Sequence, residues 1–187
     1  MKPDARTVLL PIDVQRGFDF PSWPPRNNPS MEANGQRLLA AWRQRGWPII
    51  HVRHDSVEPG STLVPDHPGN AFRDGFEPQA NEPVVSKSVN AAFIGTDLDL
   101  RLRRLQATAI VAFGISTDMC VSTTVRVGAN LGWRMIVAGD ACACFDLADP
   151  GTDAVIPAEQ IQRAHLATLA AEFAHVMTVG QLLDAMA

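Results

Sequence analysis

Residues 108–132 read TAIVAFGISTDMCVSTTVRVGANLG: an apolar, β-branched run up to Gly114, a short polar break, then a helically spaced stretch that begins near Cys120 and stops at Gly132. A buried strand that passes through a short loop into a helix is the unit from which parallel sheets are built, because parallel neighbours need a long crossover. Five more apolar runs repeat the pattern: TVLLPID (Thr7–Asp13), PIIHVRH (Pro48–His54), EPVVSK (Glu82–Lys87), RMIVAGD (Arg134–Asp140) and HVMTV (His175–Val179). They are near-continuous rather than alternating, as strands covered on both faces should be. Helical patterns lie between them. Met31–Arg45 is stopped by Gly46, Asp97–Leu105 has Thr96 and Asp99 in capping-box spacing, Pro157–Phe173 opens on a first-turn proline, and Gly180–Met186 closes the chain. The sequence predicts an α/β fold, a three-layer α/β/α sandwich over a mainly parallel six-stranded sheet, as one domain across residues 1–187.

The composition suits one apolar core: 46% of the 187 residues are hydrophobic. A net charge of −4 leaves no basic surplus for a phosphate backbone, so no nucleic-acid partner is expected. No apolar run approaches the roughly 20 residues of a membrane helix, and no signal-peptide pattern opens the chain, so the expected compartment is the cytoplasm. Three cysteines, Cys120, Cys142 and Cys144, read as reduced thiols rather than a disulfide framework. The CxC pair has no histidine or second pair beside it and reads as core rather than metal site.

Ligands of open parallel sheets sit beyond the carboxyl ends of the strands. Asp13 closes the first run, Lys87 the third, and Cys120 follows the fourth by one short loop. Each has an ordinary reading: a turn-capping aspartate, a solvated lysine, a thiol packed as a small hydrophobe. Each also has a chemical one. A carboxylate can act as general base, a lysine that continues a buried strand needs a carboxylate partner, and a thiol at a helix start beside an ammonium is biased towards thiolate. The exposed N–H groups of such a helix start can receive an oxyanion.

Together, LLPIDVQRGF, VVSKSVNAAFIGTDLDLRLRRL, IVAFGISTDMCVSTTVRVGANLGW and VAGDACACF resemble the isochorismatase-like cysteine hydrolases, the superfamily of nicotinamidases, N-carbamoylsarcosine amidase and ureidoacrylate amidohydrolases. The resemblance implies a Rossmann-like sheet and a catalytic triad of Asp13, Lys87 and Cys120. It also implies a cis peptide between Ile115 and Ser116 that aims the Ser116 N–H, with that of Cys120, into an oxyanion hole. Asp118 is expected to bond loop amides. The implied reaction is hydrolysis of a C–N bond in a small amide, carbamoyl or ureido compound through a thioester on Cys120, with no cofactor, in a homo-oligomer that is a dimer or tetramer.

Departures from the family pattern sharpen this. Metal-dependent nicotinamidases carry an Asp-x-His pair after the second strand, where this chain reads HVRHDSVEPGS. His51 and His54, three apart on a strand, face opposite ways, so no shared metal is expected. Asn90, Ala91, Ala92 and Phe93 stand where Ser-Ala-Phe is usual, removing one hydroxyl. Candidate pocket residues are Gln15, Phe18, Phe20, Trp23 and Phe93, with Arg16 and Asn28 as polar anchors. The loop Ser56–Phe76, with His67, Asn70 and Phe72, could act as a lid, and Trp133 and the last helix could lie at an interface. The rival readings are vinyl-ether hydrolysis of the isochorismatase type, which needs no cysteine, and a catalytically idle α/β binding protein.

Overall fold

The computed structural model describes residues 2–186. Six parallel strands form the sheet: β1 (Thr7–Ile12), β2 (His51–His54), β3 (Val84–Lys87), β4 (Ala109–Ile115), β5 (Met135–Ala143) and, after the short hairpin β6 (Leu147–Ala148) and β7 (Val155–Ile156), β8 (Ala174–Met177). The spatial order is β3-β2-β1-β4-β5-β8. Every residue of β1 and β4 is buried, which is what their unbroken apolar sequences require of central strands. Helices α1 (Met31–Arg45) and α5 (Val179–Ala185) cover one face; α2 (Leu98–Arg104), α3 (Ser122–Asn130) and α4 (Ala158–Glu172) cover the other. The three-layer α/β/α sandwich is as expected.

Connections leave β1 towards β2 and β4 towards β5 in opposite directions, so the crevice between the carboxyl ends of β1 and β4 is the switch point of the sheet. Gly114 lets these two strands close there. Its φ is +137°, and a Cβ at this position would lie 1.9 Å from the Ile12 carbonyl oxygen.

Several boundaries differ from those expected. β5 runs three residues past Asp140, because its register against β4 slips between Ala112↔Val137 and Gly114↔Cys142, three extra residues on the β5 side. Side-chain amides satisfy the bulged carbonyls: Asn28 donates to those of Asp140 and Cys142, Asn34 to Asp140, and Gln162 to Gly139 and Cys142. The capping box at Thr96 and Asp99 does not form. Asp97 occupies the cap position but its carboxylate binds Arg101 rather than the helix N–H groups, while Asp99 binds Arg103 and Trp133. A capping box is present instead at Thr178 and Gln181 of α5. Pro157 sits one residue ahead of α4, whereas Gly46 ends α1 in the left-handed conformation as expected. No helix among the described residues is long and apolar enough to cross a membrane.

Candidate active site

Asp13 follows β1 with φ +53°, a left-handed turn that carries its carboxylate under the crevice. Lys87 ends β3, and the β2–β3 register sets His54 directly beside it. Cys120 lies within a single π-helical turn, Thr117–Val121, that joins β4 to α3, and the Ile115–Ser116 peptide ahead of it is cis. The three elements converge on one ammonium. Lys87 Nζ donates to Asp13 Oδ2 at 2.6 Å and Cys120 Sγ at 3.3 Å and meets His54 Nδ1 at 2.9 Å.

The Asp13 and Lys87 side chains are 0% exposed. Asp13 Oδ1 is buried without a hydrogen-bond partner, leaving one acceptor unused beside the thiol. The Cys120 thiol in turn reaches Asn90 Oδ1 at 3.8 Å. Burial above all, then the Asp13 carboxylate, push the Cys120 thiol up from its usual range, and Lys87 offsets this only in part. Burial and the Asp13 carboxylate thus oppose the bias towards thiolate that the helix start and the ammonium supply.

His54 is held below the usual histidine range by burial and then by the charge of Lys87. His51 points to the opposite face, fully buried against Glu82. One oxygen of Asp13, one ring nitrogen of His54 and Cys120 Sγ lie within 4.8 Å of one another, a spacing that could hold a metal. These residues do not fit one, because Lys87 Nζ already fills the position between them and contacts all three.

Above Cys120 opens a cavity of about 200 Å³. Phe18 and Trp23 line it, packed edge to face at 4.7 Å. Phe20 does not; it lies edge-on to His67 in a neighbouring groove. Phe93 is buried against α3 at Gly128 instead. Gln15 is buried as scaffold, its side chain bonded to the backbone N–H and carbonyl of His54 and to the Asn70 carbonyl. Arg16 pairs with Asp74, and Asn28 holds the β5 bulge. The segment Ser56–Phe76 supplies a wall rather than a free lid. Asn70 donates to the carbonyls of His54 and Leu63 and to Asp55, His67 caps Gly69, and Phe72 packs on His51. Asp118 does not brace the loop as expected, since its Oδ1 is buried without a partner. Trp133 is engaged within the chain, bonded to Asp99 and stacked under Arg103. Cys142 and Cys144 are buried free thiols, as expected.

Two contacts escaped the sequence reading. His54, considered in the sequence only against His51, ends β2 and so obeys the same strand-end rule as Asp13 and Lys87. Asn90 was read as a lost hydroxyl, yet its amide oxygen reaches the thiol.

A buried carboxylate, ammonium and thiol in contact at the switch point of a parallel α/β sheet define the class of a cysteine hydrolase. Comparison with known proteins agrees. Residues 7–181 match the isochorismatase domain family. YrdC of Bacillus subtilis, an isochorismatase family protein, is 37% identical over 97% of this chain and 96% of its own length. A crystal structure of an isochorismatase-family hydrolase from Chromobacterium violaceum superposes with a TM-score of 0.93 at 42% identity, over 97% of this chain and 94% of that one. Streptothricin hydrolase of Streptomyces noursei is 31% identical over 84% of this chain and 57% of its own. The chain belongs to the isochorismatase-like family of hydrolases.

Proposed function

We propose that this enzyme cleaves a C–N bond in a small amide, carbamoyl or ureido compound through a thioester on Cys120. The observation that carries the reading is the set of contacts on Lys87 Nζ: Asp13 Oδ2 at 2.6 Å and Cys120 Sγ at 3.3 Å on the floor of a cavity. Asp13 takes the Sγ proton as sulfur attacks the carbonyl carbon, and Lys87 balances the charge that appears on sulfur. The backbone N–H groups of Ser116 and Cys120 receive the oxyanion. Collapse breaks the C–N bond, and Asp13 returns the proton to the departing nitrogen. Water, deprotonated by Asp13, then opens the thioester and restores the thiol. That a relative is named streptothricin hydrolase supports hydrolysis of a small organic molecule.

The test is a screen of primary amides, lactams and ureido acids for released amine or ammonia. Cys120→Ala and Asp13→Asn are each expected to lower turnover by at least about 10³-fold, measured per folded molecule because Asp13→Asn also leaves the buried Lys87 without its partner. A thioester of the acyl group on the Cys120 peptide should be trapped by mass spectrometry at low pH. Undiminished turnover in Cys120→Ala would instead mark a hydrolysis that runs without sulfur.

A further inference from the structure

Positive charge is available to a substrate only if a cationic side chain faces the cavity with a donor to spare, and among the described residues none does. Lys87 has three ammonium protons and three neighbours, Asp13 Oδ2, His54 Nδ1 and Cys120 Sγ, and its charge is offset by Asp13. An ammonium only donates, so His54 Nδ1 accepts and the ring is a neutral imidazole with its proton on Nε2. That nitrogen has no hydrogen-bond partner among the described residues, and the ring lines the cavity as a neutral donor. The nearest arginine on the same strand, Arg53, is tied to Asp55.

Negative charge, by contrast, is present. Glu58 lines the cavity from the Ser56–Phe76 segment; it is exposed, and its carboxylate has no hydrogen bond or ion pair among the described residues. The rings of Phe18 and Trp23 line the same cavity, and aromatic rings accept neutral groups by packing and cations by their π electrons.

We infer that the cavity admits neutral and cationic amides and turns away anions, with Glu58 at its mouth as the residue that reads substrate charge and the Nε2–H of His54 as a donor to a substrate oxygen. This rests on the reading of Cys120 as the nucleophile. A dianionic enol ether would meet Glu58 with no cationic side chain in the cavity lining to balance it.

Three methanethiosulfonates of one chemistry and different charge test the inference: the methyl, 2-(trimethylammonio)ethyl and 2-sulfonatoethyl reagents. Each forms a mixed disulfide on Cys120 and releases methanesulfinate, and labelling is followed on the Cys120 peptide at low ionic strength. The cationic reagent should outpace the anionic one by about tenfold more than it does on a free model thiol, and 0.5 M salt should shrink that preference. Glu58→Gln should remove most of it and Glu58→Lys reverse it. Because the Glu58 side chain is exposed and unpartnered, neither change threatens the fold. A charge preference equal to that of the model thiol, or one that survives Glu58→Gln, overturns the inference and leaves the nucleophile reading intact. Failure of all three reagents to label Cys120 at any pH overturns the nucleophile reading, and this inference with it.

Discussion

At the scale of single residues the site is an ion pair with a thiol leaning on it. Asp13 and Lys87 are both out of solvent, so each is tolerable only while the other is present. Lys87→Met should therefore destabilise by about 3–5 kcal/mol, by leaving a carboxylate buried and unpaired. Adding Asp13→Asn should recover most of that loss without restoring turnover, as urea denaturation of the four members of the cycle will show. The same geometry governs the thiol. The Asp13 carboxylate, after burial, is what raises Cys120 most, and Lys87 opposes it. In Asp13→Asn the opposing ammonium acts alone, so the thiol should ionise at lower pH than in the parent enzyme even though catalysis is lost. Ultraviolet thiolate absorbance against pH checks this; an unchanged midpoint would place the carboxylate elsewhere. The strand-end rule alone flagged Asp13 and Lys87. Local sequence carries the helix start at Cys120 but not the depth of burial, which acts against the thiolate.

At the scale of elements, catalytic geometry depends on how closely β1 and β4 approach. Asp13 leaves the end of β1 and the turn bearing Ser116 and Cys120 leaves the end of β4, so any spreading at Ile12↔Gly114 moves the carboxylate and the thiol apart. Gly114→Ala puts a methyl into the Ile12 carbonyl at a φ of +137°. It should cost more than about 3 kcal/mol and abolish turnover in whatever fraction stays folded, measured by thermal melting alongside activity. The central strands were legible because full burial writes itself as an unbroken apolar run. Elements held by distant partners were not. The β5 bulge depends on amides from Asn28, Asn34 and Gln162, far away in sequence, and the hairpin β6–β7 is two residues per strand. The pocket walls divided for the same reason: Phe18 and Trp23 reach the cavity, whereas Gln15 and Phe93 are drawn into backbone and helix contacts that no local pattern announces.

At the scale of the whole molecule, one carboxylate outside the active site ties the layers together. Glu82, just ahead of β3, accepts from Arg43 of α1 at 2.8 Å through both oxygens, from the Gln79 backbone N–H, and pairs with His51 of β2. Burial acts to raise its pKa, but these bonds outweigh it and bring Glu82 to about 2 from an ordinary 4.5. The unfolded chain thus holds this proton more tightly than the folded one. Stability from Glu82 is complete above about pH 4.5 and is lost as pH falls towards 2. His51 adds to the same slope from higher pH: burial lowers it from 6.5, so acid favours the unfolded chain there too. Glu82→Gln should lower unfolding free energy at pH 7 by about 3 kcal/mol. The difference between parent and variant isolates the Glu82 contribution from that of the other carboxylates. It should shrink steadily below pH 4.5 in denaturant titrations, and a gap that persists at pH 3 would mean that the Arg43 bond is not what depresses Glu82. Because Glu82 does not touch the Asp13, Lys87 and Cys120 cluster, the folded variant should keep the turnover of the parent, which separates what holds the sandwich together from what acts within it.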